Sequence, residues 1–445
     1  MIRRLSWMVL AFIAIKGNGE QVKIPETPAG RVLAAWLDAF NSGDRGRIDG
    51  FSKLYDPEHP ESVATSAQFR GKSGGVDLLA IDRGDRLTIV FRGQEKTQPI
   101  LLLGRIELTN AKSPTIQSFN IRALPMGSVS DRVKLDAALR DKAIENISAN
   151  LTQYYVFPEV AEKMTLALRA REKKGEYNSL TDGDEFATAL TRDLLDVSHD
   201  KHLRVFYNPY KLPPGPTTLS PDQLAESRRL LARDCGFRKV DILPNNIGYL
   251  KFDFFADPMA CGRTAEAAML VFANVDAIIY DLRENTGGDP RMVALMCTYL
   301  FEQPTHLDDI YERKTGTTSA TWTFRSLPGT RFSHKPVYVL MSSRTFSGAE
   351  QFAYDLKNLK RATIVGETSA GGSHPVNAYG AGDHFTVFVP GARTINVISK
   401  TDWEGTGVAP DVAIKADDAL ETAERLAAQK IQENTVLEST NTRTN

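Results

Sequence analysis

From about residue 243 onward, apolar runs of strand length alternate with amphipathic stretches of helix length, and this alternation constrains the fold more than any other feature. "NIGYLKFDFF", "VDAIIYDLREN", "PVYVLMSS" and "ATIVGET" read as strands; "PRMVALMCTYLF" and "GAEQFAYDLKNLK" read as helices between them. Such alternation implies a largely parallel α/β sheet. Ligands of such sheets sit beyond the carboxyl ends of the strands. Here those ends carry glycine pairs, serines and acids.

The chain of 445 residues is too long for one hydrophobic core. Val32, Leu33, Trp36, Leu37 and Phe40 fall at helical spacing, and "DRLTIVFRG", "PILLLGRIEL" and "TIQSFNIRALP" alternate apolar and polar residues as half-buried strands do. This predicts an α+β domain over residues 29–126. "MGSVSD" reads as a linker, and a helical bundle is expected over 131–212, closed by the proline-rich "YNPYKLPPGPTT". The α/β domain is expected over 243–430, with a polar, disordered tail at 431–445.

The first 25 residues, with two arginines and then an apolar run from Leu5 to Ile15, have the form of a secretory signal peptide or short anchor. That run is too short to span a bilayer. An exported protein, periplasmic or secreted, is expected, with no membrane contact beyond a possible amino-terminal anchor. A formal charge of −1 offers no bulk attraction to nucleic acid. Cys235, Cys261 and Cys297 are widely spaced without a C-x-x-C pair, so a disulfide framework and a zinc site are both unexpected; the three are read as buried small apolar residues. No metal cluster and no phosphate-cradling loop occur, so no cofactor is expected.

Ser347 lies at the amino end of the helix beginning at Gly348. A serine there can cap free backbone N–H groups. It can equally be a nucleophile, because the same N–H groups and the helix dipole favour a developing oxyanion. Gly348 with Gly287 or Gly288, from "DLRENTGGDP", are the candidate oxyanion donors. The residues alone leave both readings open.

"DLRENTGGDP", "VYVLMSSRTFSGAEQFA", "ATIVGETSAGGSHP" and "TDWEGTGVAPDV", preceded by "SHDKHLRV", follow one another in an order that resembles the tail-specific (carboxy-terminal processing) serine peptidase family, over roughly residues 131 to 430. The "GGSHP" ending, without an inserted PDZ-type domain, is most similar to the branch related to interphotoreceptor retinoid-binding protein and tricorn protease. The resemblance implies a crotonase/ClpP-like α/β core acting on a peptide or protein substrate. The front domain resembles nuclear-transport-factor-2-like folds.

By this resemblance Ser347 is the nucleophile. The lysine that many relatives carry two dozen residues later is absent, since Gly371 and Gly372 stand there. The tricorn-like pattern instead matches His202 as general base and Glu404 as the carboxylate that orients it. His374 is an alternative base or substrate-binding residue and ranks second; His199 ranks third. Glu350, three residues after the serine, is read as structural in capping-box fashion. The competing functions are a binding protein for an apolar ligand and, more remotely, an acyl-thioester enzyme. Oligomeric state is left open.

Overall fold

The computed structural model describes residues 13–15, 21–57, 62–97, 100–124, 135–208 and 235–443. Of the leader it describes only 13–15 and 21–25, where Ile13–Ile15 pairs antiparallel with Gln21–Lys23. The rest of the apolar run, the "MGSVSD" linker and the proline-rich stretch from residue 209 lie outside the described residues. Among the described residues no helix is long and apolar enough to cross a membrane.

The chain divides into two units, residues 1–129 and 130–445. In the first, helix Pro28–Ser42 starts at a Thr27 cap and stops at Gly43, whose φ of 71° ends the helix in the left-handed region. Its buried face, with Val32, Leu33, Trp36 and Phe40, joins the inward residues of a four-stranded antiparallel sheet (Val76–Gly84, Thr88–Glu95, Leu101–Leu108, Ile116–Ala123). Trp36 sits edge-on to Phe119 with ring centres 5.1 Å apart. The expected α+β arrangement of helix and sheet is present.

The second unit is built on a six-stranded sheet. Strands Ile247–Phe252, Ala277–Asp281, Val337–Met341, Thr363–Gly366 and Val412–Ala413 run parallel, and Phe237–Leu243 joins one edge antiparallel. Ala277–Asp281 and Val337–Met341 are buried at every position, as expected of strands covered on both faces. Helices Pro258–Val271, Pro290–Thr298 and Gly348–Asn358 contribute to the core on one side, where Phe352 packs against Tyr280. Helix Ala419–Arg443 covers the other through Ala419, Ala423 and Ala427.

This last helix corrects the reading of the tail as disordered. Once its first turns are anchored on the sheet, extension adds one hydrogen bond per residue fixed, and the helix continues to Arg443.

The bundle comprises helices Ala137–Tyr154, Pro158–Lys173 and Gly183–Ser198. Strand Arg204–Tyr207, which follows it, pairs antiparallel with Phe385–Pro390 in a three-stranded sheet. Phe385, Val387 and Val389 share a core with Phe186, Leu190 and Leu194 of the bundle. The loop ahead of Arg204 is thereby held against the α/β part.

A second correction concerns the cysteines. All three are buried, but Cys235 and Cys261, 26 residues apart, form a disulfide. It ties the start of the edge strand to helix Pro258–Val271, and only Cys297 remains a free thiol. The pair was illegible because wide spacing carries no signal; what brings the cysteines together is the edge strand packing beside the helix.

Candidate active site

Strand Val337–Met341 ends in a tight turn that delivers Ser347 to the amino end of helix Gly348–Asn358. The turn is fixed from below: Thr345 Oγ1 donates to the Leu282 carbonyl at 2.8 Å, and the Phe346 N–H donates to the Asn285 carbonyl at 3.1 Å. Ser347 itself has φ 54° and ψ −121°. A non-glycine residue held there costs about 1–3 kcal/mol, and such a bend between strand and helix lifts a serine hydroxyl clear of the backbone.

Glu350 locks this conformation. Fully buried, it accepts the Ser347 N–H at 2.8 Å, as half of the expected capping box. It also accepts the N–H groups of Gly371 (2.6 Å) and Gly372 (2.9 Å) and the Ser369 hydroxyl (2.5 Å). One carboxylate therefore fastens the loop after strand Thr363–Gly366 to the serine turn. Burial raises its pKa above the ordinary range against these four donors.

Ser347 Oγ lies 3.1 Å from His202 Nε2. Asp200 shapes the loop that carries the ring: its Oδ1 accepts the His202 N–H at 3.0 Å. The imidazole lies along Phe346, ring centres 4.5 Å apart. Gly372 makes room for both, since a Cβ there would fall 2.2 Å from the Phe346 ring and 2.8 Å from His202 Cε1. A glycine pair stands where a lysine was looked for, and an imidazole occupies the space. Burial depresses the His202 pKa to about 4 in spite of Asp200, so the ring is neutral near pH 7.

Behind this ring lies a second buried cluster. His374 Nδ1 bonds Asp200 Oδ2 at 2.7 Å and is 3.5 Å from Glu404 Oε2. The Tyr155 hydroxyl donates to Asp200 Oδ2 at 3.2 Å, and the Ser373 N–H donates to Glu404 Oε2 at 2.6 Å. Burial opposes a charge on His374, yet the bond to Asp200 and the neighbouring carboxylates raise its pKa. Burial and then Asp200 lift Glu404 to about 7. Trp403, beside Glu404, donates its indole N–H to the Gly372 carbonyl at 2.8 Å.

The fold thus brings Ser347, His202, His374 and Glu404 into one cluster. Glu404 bonds toward Ser373 and His374, and the carboxylate nearest His202 Nδ1 is Asp200, at 4.0 Å. His199 is not brought in: it is exposed at the left-handed end of helix Gly183–Ser198.

The expected glycine donors need one correction. The Gly287 N–H donates to Asn285 Oδ1 at 2.9 Å and is not free. The N–H groups of Gly288 and Gly348 have no partner among the described residues, and a Cβ on Gly348 would lie 3.1 Å from Gly288 N, so the two sit close together. Gly287 is needed for another reason. With φ 99°, it packs where a Cβ would meet Ser347 Cβ at 2.6 Å.

Sequence reasoning missed Asp200 and Tyr155. An aspartate two residues before a candidate base was the one available signal.

Residues 246–414 match the model of peptidase family S41, and residues 133–234 match the N-terminal domain of peptidase S41 in eukaryotic IRBP. Among solved structures, the chain is similar to a putative peptidase from Parabacteroides merdae (17% identity, 65% of this chain and 96% of that one, TM-score 0.46). It is also similar to the photosystem II D1 C-terminal processing protease (16% identity, 62% and 93%, TM-score 0.39). Tricorn protease is a further likeness (14% identity, 80% and 46%, TM-score 0.43).

Proposed function

Because the chain belongs to peptidase family S41 and is a serine-type peptidase, we propose that Ser347 is its nucleophile and His202 the general base. The observation that carries this is the 3.1 Å approach of His202 Nε2 to Ser347 Oγ, from segments 145 residues apart. A neutral imidazole there takes the hydroxyl proton as Oγ attacks the scissile carbonyl. The N–H groups of Gly288 and Gly348 receive the oxyanion. His202 then returns the proton to the leaving amine, and water resolves the acyl-enzyme by the same route in reverse. Asp200 and Glu404 form the acidic wall that favours the imidazolium as it appears.

We further read the protein as exported. The arginine-led apolar start supports this, as does the Cys235–Cys261 disulfide, a bond typical of oxidising compartments. The crotonase/ClpP-like description of the core and the nuclear-transport-factor-2-like description of the front unit belong to the same proposal.

Hydrolysis of a mixed peptide library, followed by mass spectrometry, tests the assignment. The parent protein cleaves; Ser347→Ala, folded as judged by circular dichroism, does not. Equal cleavage by both would remove Ser347 from the mechanism. Absence of cleavage in both, with an apolar ligand co-purifying, would favour the binding-protein reading.

A further inference from the structure

Donor atoms of Asp200 and Glu404 lie close beside the His202 ring. His202, only 8% exposed, buries an Nδ1 that has no hydrogen-bond partner, and Glu404 Oε1 is buried and unpartnered as well. Asp200 Oδ1 lies 4.0 Å from that Nδ1. One donor atom from each of Asp200, His202 and Glu404 lies within 4.8 Å of the other two. A buried polar atom left unpaired costs about 1–3 kcal/mol, so a gap bounded by two of them is a place built for an occupant.

The donor set selects that occupant. One imidazole nitrogen and two carboxylate oxygens suit a divalent transition metal, with zinc foremost at a small site. Both carboxylates are held in place: Asp200 Oδ2 by His374 and Tyr155, Asp200 Oδ1 by the His202 N–H, and Glu404 Oε2 by the Ser373 N–H. Outer partners of this kind orient metal ligands. Ligand bonds of about 2.0–2.2 Å ask the three donors to draw together from their present spacing. No spacing in the sequence announces the site, because its ligands come from the loop after the bundle and from the loop before the last strand of the main sheet.

We propose that this gap binds one Zn2+ ion through His202 Nδ1, Asp200 and Glu404, and that the ion switches the peptidase off. A neutral imidazole has one N–H and one acceptor nitrogen. With zinc on Nδ1, the ring's N–H sits on Nε2 and faces Ser347 Oγ, so the ring donates to the hydroxyl and cannot take its proton. The inhibitory half rests on the peptidase reading above; the binding half does not.

The test therefore begins without activity. Full-length Ser347→Ala protein, stripped with a chelator, is titrated with zinc chloride by calorimetry. One saturable site is expected, and Glu404→Gln added to that background weakens it about tenfold or more. His306 and His334, which pair with Asp309 and Glu302 elsewhere, are the competing sites. The double variant His306→Ala, His334→Ala leaves the affinity unchanged. Absence of saturable binding, or binding lost in the double variant and kept in Glu404→Gln, overturns the site. In the parent protein, zinc suppresses peptide cleavage and EDTA restores it; cleavage that persists with the site filled overturns the switch. A parent that cleaves no peptide removes the functional reading, while the titration still decides the site.

Discussion

Asp200 and His374 are joined at 2.7 Å by a bond between buried groups 174 residues apart, and the same Asp200 carboxylate caps the N–H of His202. The loop bearing the proposed base is thus pinned to the segment after the main sheet's fourth parallel strand. Asp200→Ala should strip partners from His374, Tyr155 and the His202 backbone together. Uncompensated buried polar groups cost about 1–3 kcal/mol each, so thermal stability falls along with kcat/KM. Asp200→Asn keeps an acceptor and should lose less stability while still losing about a hundredfold in rate. Equal melting temperatures and equal rates in both variants would contradict the role.

Gly372→Ala tests the space in which the imidazole lies. The added Cβ meets Phe346 and His202 Cε1, and Phe346 in turn lies against the imidazole. A displacement of about 1 Å costs on the order of a hundredfold in rate. Peptide hydrolysis should fall by that order, with urea unfolding changed far less. Full activity in Gly372→Ala would mean that the ring has another seat.

Glu350→Ala should be the most destabilising single change at the site. It leaves three backbone N–H groups and the Ser369 hydroxyl without their acceptor. Each buried donor left unpaired costs about 1–3 kcal/mol, measurable together as a lowered urea midpoint. Glu350→Gln, which retains one acceptor oxygen, should recover part of it.

A separate acid pair joins Asp355 of helix Gly348–Asn358 to Asp308. Asp308 and Asp355 are both fully buried; Gln351 donates to Asp308 Oδ2 at 2.5 Å and Asn396 to Asp355 Oδ1 at 2.9 Å. Burial raises both pKa values, and for Asp355 the neighbouring Asp308 adds to it. Thr321, on the neighbouring strand, hydrogen-bonds Asp308 and opposes the rise, adjacent Asp309 adds to it, and buried Cys297 faces the pair. A carboxyl whose folded pKa is raised contributes stability at pH below its unfolded value and loses it as pH climbs through the folded value. Melting temperature should therefore decline as pH rises above the ordinary carboxylate range. Asp355→Asn, whose amide can stand in for the proton, should flatten that decline. An unaltered slope would exclude the pair as its source.

Much of this architecture is legible in the chain because each element carries its own period. The buried parallel strands read as apolar runs, and helix Gly348–Asn358 as a stripe of Ala349, Phe352, Ala353 and Leu356. Ser347, His202, His374 and Glu404 could be named because each lies in a compact run of residues that resembles a known pattern. What stayed hidden depends on contacts between distant segments. Asp200 shows nothing unusual until the fold sets it against His374, and Cys235 needs the edge strand packed beside helix Pro258–Val271 to find Cys261. Gly287 looked like a donor because its type fits; its N–H is taken by Asn285 Oδ1 once the turn folds. The tail is polar in composition, yet its helix grows from an alanine face that the sheet supplies.

Ser347 acts as proposed only if His202 activates its hydroxyl. A fluorophosphonate probe applied to the chelator-treated protein, with the modified residue mapped by mass spectrometry, measures this directly. Labelling confined to Ser347 and slowed by about a hundredfold or more in His202→Ala is the predicted result. Labelling of another residue, or labelling of Ser347 at an undiminished rate without His202, would contradict it.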